Sequence, residues 1–324
     1  PRLGVGIPLP LLLLLGAVTW AVANPGDSAP PAPPVAKRIA HADTLQGDVR
    51  SDDWHWLREK ENPEVLSYLR AENAYTEASL KHTGPLQEKL YQEMVARIQE
   101  TDSEVPYRRD GWLYYTRTEK GKQYPYYSRR RGSMAAPEQL LLDLNAMAEG
   151  KEFMRLGAFA VSDDGNLLAF STDETGYRQY RLAVKNLVTG EVSPVLAEKT
   201  GSVAWATGTE TLFYTVEDEA KRQYRLYRHE LGTNIHTLVY EEPDEAFSVG
   251  VLRSRSREFL FLNLGSLTTS EWRYLPAVEP RGEWRILEPR RHDVEYAVEQ
   301  EGGTFWINVN DTGRTFRLVS APVA

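Results

Sequence analysis

Arg178-Gln179-Tyr180-Arg181-Leu182 returns 44 positions later as Arg222-Gln223-Tyr224-Arg225-Leu226. Looser copies follow as Glu271-Trp272-Arg273-Tyr274-Leu275 and Thr315-Phe316-Arg317-Leu318, and a weaker one precedes them as Gln123-Tyr124-Pro125-Tyr126-Tyr127. The aromatic anchors Tyr124, Tyr180, Tyr224, Trp272 and Phe316 are therefore spaced by 56, 44, 48 and 44 residues. A period in this range marks a repeat architecture, in which one supersecondary unit buries its apolar faces only against its neighbours.

A second register runs in step with the first. Ahead of each anchor lies a β-type run: Trp112-Leu113-Tyr114-Tyr115-Thr116, Leu167-Leu168-Ala169-Phe170-Ser171, Thr211-Leu212-Phe213-Tyr214-Thr215, Phe259-Leu260-Phe261-Leu262-Asn263 and Thr304-Phe305-Trp306-Ile307-Asn308. Most follow a turn signal, namely Asp110-Gly111, Asp163-Asp164-Gly165, Thr207-Gly208 or Gly302-Gly303. Within one unit, 202–205 and 211–215 read as strands, 224–230 as a third, Leu231-Gly232-Thr233 as a turn, and Asn234 to Tyr240 as a fourth. Four short antiparallel strands per period are the blade of a β-propeller. A β-sandwich gives no reason for five paired registers in step.

The 324 residues are 41% hydrophobic and 26% charged, enough to bury a sizeable core. The chain has no cysteine, which excludes disulfides, thiolate zinc sites and a cysteine nucleophile. A net charge of −8 argues against a nucleic-acid surface and suits a cationic peptide. At the start, an apolar run from Leu9 to Val18 ends in Ala21-Val22-Ala23, small residues at the spacing of a signal-peptidase site. Residues 1–23 thus read as a signal peptide for a secreted or periplasmic protein, with no membrane span after cleavage. A buried N-terminal helix is the competing reading. Residues 24–36 are a Pro/Ala-rich linker.

Residues 37–105 read as a helical segment. Asn62-Pro63-Glu64 is a helix start: an Asn cap, Pro at the first helical position and an acid near the positive end of the dipole. Leu66, Leu69, Thr76 and Leu80 fall near one face. After Gly84-Pro85 a second helix carries Leu86, Leu90, Met94 and Ile98 at a spacing of four. Both helices need an apolar surface to cover, because short helices are marginal in water. Just before them, Trp54 and Trp56 sit amid charges and read as a turn or edge strand that buries its aromatics. Residues 106–324 hold the propeller, blades one to five, with the last lacking its fourth strand.

Several stretches carry a family resemblance. Asp52-Asp53-Trp54-His55-Trp56-Leu57-Arg58, Asn62 to Leu69, Glu72-Asn73-Ala74-Tyr75, Glu104-Val105-Pro106, Leu142-Asp143-Leu144-Asn145 and Ser162-Asp163-Asp164-Gly165 stand in the order found in the N-terminal region of prolyl oligopeptidase family serine peptidases. Within that family the chain looks most like the oligopeptidase B branch, from about Lys37 to Ala324. The resemblance implies a seven-bladed propeller that caps an α/β-hydrolase domain and admits only short peptides, with cleavage after Lys or Arg. It also implies that the helical segment packs on the hydrolase side. Arg178 stands where the family leads one to expect an acid.

No Gly-x-Ser-x-Gly elbow, which would lift a serine nucleophile on a strand-to-helix turn, occurs in this sequence. The nearest imitation, Phe247-Ser248-Val249-Gly250, has Ala246 in place of the first Gly and lies in a strand pattern. The hydrolase domain is therefore read as missing, the chain as an N-terminal part that is inactive alone, and no catalytic residue is assigned. The six His residues 41, 55, 82, 229, 236 and 292 show no metal-site spacing, and His229 and His236 read as blade-surface residues. Asn308 to Gly313 begins like a calcium loop, but Val319 stands where the bidentate Glu belongs. Arg129-Arg130-Arg131 reads as a solvated strand end. Glu217-Asp218-Glu219 and Glu241 to Glu245 read as acidic loops. No metal or cofactor is implied. The alternative function is a stand-alone secreted propeller that binds a partner without catalysis.

Overall fold

The structure, a computed structural model, describes residues 32–208 and 210–323. The signal-peptide reading and the first part of the linker lie outside these residues. The chain divides between Ile98 and Gln99 into two compact units.

The first unit opens with a hairpin of β1 (Ala42–Leu45) and β2 (Asp48–Ser51). Its turn residues Gln46 and Gly47 both take positive φ, the geometry that matches strand twist in a two-residue turn. A 3-10 turn over His55–Arg58 buries Trp56, whose indole N–H donates to the Lys37 carbonyl at 2.8 Å. Trp54, expected to be buried with it, is 47% exposed and stacks under the Arg38 guanidinium. Helix α1 (Pro63–Leu80) starts as its sequence dictates, with the Asn62 side chain accepting from the Glu64 amide at 2.9 Å. A 3-10 turn at Lys81–Thr83 links it to α2 (Gly84–Val95). Val65 is the buried residue of α1, and α2 has none. Leu69, Leu80, Leu86, Leu90, Met94 and Ile98 are all exposed.

The second unit is five antiparallel sheets in chain order. Blade 1 has a split first strand, β3 (Asp102–Ser103) and β4 (Tyr107–Arg109), both paired with β5 (Trp112–Thr118); β6 (Tyr126–Arg131) and β7 (Glu138–Asp143) follow. Pairing of β3 with β5 carries the blade unit back beyond the 105/106 boundary read from sequence. After the short helix α3 (Leu144–Met147), blade 2 comprises β8 (Arg155–Val161), β9 (Leu167–Asp173) and β10 (Arg181–Asn186), its fourth strand reduced to bridges at Ala197 and Val192. Blade 3 is β11 (Thr200–Trp205), β12 (Thr211–Glu217), β13 (Gln223–Glu230) and β14 (His236–Glu241). Blade 4 is β15 (Ser248–Arg253), β16 (Phe259–Gly265), β17 (Ser270–Pro276) and β18 (Arg285–Glu288). Blade 5 holds β19 (Tyr296–Glu301), β20 (Thr304–Val309) and β21 (Arg317–Pro322), a three-stranded sheet among the described residues. The architecture is thus a partial propeller of five blades after a short helical segment. No element of the described residues belongs to a hydrolase sheet.

The continuous apolar runs are explained by burial on both faces. In β16, Leu260 and Leu262 point into the core shared with blade 3, while Phe261 between them points into the core shared with blade 5. In β12, Phe213 faces blade 4 and Leu212 and Tyr214 face blade 2. Each such side chain contributes about 1.5–3 kcal/mol on leaving water, so blade-to-blade packing is what stabilises the array.

Blades 2 and 3 also repeat a bulge. The β8/β9 register slips between Leu156 and Phe159, and the β11/β12 register between Thr200 and Val203. At the slip, the Ala158 amide donates to Ser171 Oγ at 2.9 Å and the Ser202 amide to Thr215 Oγ1 at 3.0 Å. Glycine is required beside each. A Cβ on Gly157 would stand 2.5 Å from the Tyr180 ring, and one on Gly201 2.5 Å from the Gln223 side chain. The repeated motif thus fills the space that a missing Cβ leaves.

Candidate axial gate

The first strands of successive blades lie side by side, β8 against β11 and β11 against β15. The turns that leave them, at Asp110-Gly111, Ser162–Gly165, Thr207, Ser254–Arg257 and Gly302-Gly303, therefore collect at one end of the array. Blades 2 and 4 build this turn alike. Ser162 Oγ accepts from the Leu167 amide at 2.9 Å, and Ser254 Oγ from the Phe259 amide at 3.0 Å. In each, the fourth residue is left-handed: Gly165 with φ +73° in blade 2, Arg257 with φ +67° in blade 4. An arginine there holds about 1–3 kcal/mol of strain that glycine would avoid.

The guanidinium of Arg257 shows what opposes that strain. It grips both oxygens of Asp110 in blade 1 at 2.6 Å each, across 147 residues of chain, and reaches Asp163 of blade 2 at 3.3 Å. Arg253 donates to Asp163 at 2.9 Å and to Thr207 Oγ1 of blade 3 at 2.9 Å. Arg109 completes the group, donating to the Val161 carbonyl at 3.2 Å and standing 3.5 Å from Asp110. On the other side, Glu299 accepts from the Arg255 amide at 2.8 Å, Ser256 bonds Gln300, and Gln300 donates to Glu258 at 2.8 Å. The 253–258 segment therefore touches the first-strand turns or strands of all four other blades. Paired with the Arg257 fork, Asp110 is held below the usual carboxylate range despite some burial, and Arg257 is raised in turn. Burial lowers Arg253, opposed by Asp163.

Three guanidinium groups on two carboxylates, all bonded, supply neither nucleophile nor proton relay. What the arrangement can do is close one end of the array and hold blades 1, 2 and 4 at a fixed distance.

The residues weighed in the sequence fall elsewhere. Ser248 opens β15 in pairing with Gly265, in a strand and not at an elbow. Of the arginine run read as solvated, Arg129 is 2% exposed: its guanidinium lies 3.8 Å over Trp112 and donates to Tyr114 Oη and Gln139. Glu242, read as part of an acidic loop, is 1% exposed and paired with Arg290 and Tyr240; burial opposes its ionisation, but these bonds prevail and lower it. Asp218 takes Arg222, and Glu219 takes Lys199. His229 is buried rather than on the blade surface, because its register partner His236 stacks on it at 4.3 Å; burial and that neighbour depress it. In the loop that resembled a calcium site, Asp311 is occupied by Arg317 at 2.7 and 2.8 Å. Arg178 has φ +59°, with its amide held by Asp173 at 2.7 Å. The gate residues were missed. Asp110 and Asp163 read only as turn formers, and Ser254-Arg255-Ser256-Arg257 carries no glycine signal.

Comparison with known proteins bears on the whole chain. A family model described as the N-terminal β-propeller domain of prolyl oligopeptidase matches residues 33–324. Dipeptidyl aminopeptidase BI of Pseudoxanthomonas mexicana is 40% identical, over 95% of this chain and 46% of its own. Protease 2 of Moraxella lacunata is 32% identical, over 90% and 44%. The structure of oligopeptidase B from Leishmania major matches with a TM-score of 0.78 at 28% identity, over 90% of this chain and 44% of that one. Oligopeptidase B from Trypanosoma brucei with covalently bound antipain, in a closed form, gives 0.77 at 30%, with the same coverage. The chain spans about half the length of the curated relatives it matches.

Proposed function

We propose, because this chain belongs to the prolyl oligopeptidase family through its N-terminal β-propeller domain, that it serves as the size filter of a peptidase acting on short peptides. The observation that supports a filter is the cluster of inter-blade ion pairs at Asp110, Asp163, Arg253 and Arg257. Charges paired across one end of the array would deny folded chains an axial path. In the complete peptidase, a serine on an α/β-hydrolase domain attacks the peptide carbonyl, a histidine takes and returns the proton, and an aspartate orients the histidine. Cleavage follows Lys or Arg. The exposed faces of α1 and α2 pack on that domain, and Ala21-Val22-Ala23 ends an export signal removed before Asn24.

A second reading of specificity is favoured by the name of one relative, a dipeptidyl aminopeptidase at 40% identity: release of dipeptides from a free N-terminus. Two fluorogenic substrates separate the readings in the complete peptidase. Turnover of an N-blocked peptide ending in Arg supports endopeptidase action. Turnover of the unblocked dipeptidyl substrate alone supports the second reading, and indifference to Lys or Arg refutes basic specificity. A length series from about five to about fifty residues tests the filter, which fails if long unfolded peptides and folded proteins are cut as fast as short ones. Residues 1–324 alone should show no turnover that a serine-directed inhibitor abolishes.

A further inference from the structure

We infer that His41, Asp43 and His55 form a binding site for a borderline divalent cation such as Zn²⁺, Ni²⁺ or Co²⁺. The sequence hides the group, because the two histidines are separated by the whole β1/β2 hairpin. The hairpin closes them together: the Asp52 amide donates to the His41 carbonyl at 3.0 Å and the Ile39 amide to the Asp53 carbonyl at 2.8 Å. The imidazole of His55, on the first residue of the 3-10 turn, then lies parallel to that of His41 with ring centroids 3.7 Å apart. Donor atoms of the three side chains all lie within 4.8 Å of one another. His41 Nε2 and Asp43 Oδ2 are already 3.1 Å apart. Metal–ligand bonds of about 2.0–2.2 Å place neighbouring ligands roughly 3–3.5 Å apart, so the His41–Asp43 edge is at ligating distance. A metal lies in the plane of each imidazole it binds, so the partly exposed His55 ring turns out of the stack to complete the site.

The chemistry of the set favours these metals. Two imidazoles and one carboxylate suit borderline cations better than Ca²⁺ or Mg²⁺, which take oxygen ligands. Asp52 Oδ2 stands 4.0 Å from His55 Nδ1 and adds negative charge. A cation already sits at the site in another form. Arg58 presents its guanidinium to His55 Nε2 at 3.3 Å, so a positive charge already faces that ring nitrogen. All these side chains are at least partly exposed, so Arg58 swings away at little expense, while the backbone that sets the donors is hydrogen-bonded. Nearby Arg38 does not compete, being paired with Asp53 at 2.6 Å. The inference stands apart from the peptidase reading.

The test is calorimetric titration of the tag-free, chelator-stripped full chain with ZnCl₂ and NiCl₂, with Co²⁺ absorption as a second readout. One cation per chain is expected at this site. His41→Ala and His55→Ala should each weaken binding by at least the ~10–100-fold that loss of even an outer-shell partner brings. Arg58→Ala should tighten it several-fold, an effect a merely structural disturbance would not produce. His82→Ala and His292→Ala, at exposed histidines elsewhere, should leave it unchanged. Absence of binding, or binding that survives both the His41 and His55 changes, overturns the inference.

Discussion

The helical unit and the blade unit carry apolar residues in equally regular patterns and treat them in opposite ways. Along α1 and α2 the regular positions Leu69, Leu80, Leu86, Leu90 and Met94 are exposed. In the blades Phe213, Phe261 and Phe305 are completely or almost completely buried, each against a neighbouring sheet. Periodicity states which face wants burial but not what covers it. In a repeat the covering surface is another copy, so pattern and partner come together. In the helices the pattern alone is present among the described residues.

The contrast can be broken by substitution, beginning where the effect is largest. Phe213→Ala removes a side chain shared by the cores of blades 3 and 4 and should cost about 3–5 kcal/mol, read by urea denaturation; a change below about 1 kcal/mol would mean the blade interfaces do not hold the unit. Gly157→Ala should follow at about 1–3 kcal/mol, since its Cβ meets the Tyr180 ring and Ser171 Oγ. Gly201→Ala should be milder, because what it meets is chiefly the flexible end of Gln223. Equal effects would show that the two bulges are not relieved in this way.

Arg257→Ala loses a partly exposed ion pair and keeps the left-handed backbone, a loss of about 1 kcal/mol or less after solvent screening. Arg257→Gly, which removes the strain too, should be the more stable of the two variants. The sign with pH follows from Asp110. Its folded value lies below its unfolded one, so the stabilisation is present above the unfolded value of about 3.9. It is lost as pH falls through the depressed folded value. The wild-type advantage over Arg257→Ala should therefore be full at neutral pH and shrink in acid, as denaturation at several pH values would show. At the bottom of the scale, Leu90→Ser in α2 should change the stability of this chain by no more than about 0.5 kcal/mol. A larger loss would mean that face is covered after all.

The same contrast explains what the sequence could tell. The blades were legible because the aromatic anchors and the β-type runs before them repeat in phase, and each turn but one announced itself with glycine. That one, Ser254 to Arg257, turned out to join the others. Its partners are chosen by the curvature of the array, which brings Asp110 to a residue 147 positions away; no local window contains that information. His41 and His55 were likewise opaque, since their meeting depends on a hairpin of four-residue strands. Buried Arg129 and Glu242 misled for the opposite reason: charge predicts solvent unless an aromatic ring or an arginine is known to be near.

The twin bulges of blades 2 and 3 have a consequence for how the number of blades is encoded. A glycine and a hydroxyl recur at the same offset, each facing a side chain of the repeated motif, so the inner half of one blade would serve in the other's place, and recombination between the copies would splice in frame. Nothing inside such a module counts its siblings. The circumference of the ring must be written in bonds that leap over intervening modules, and Arg257 to Asp110 is one of them.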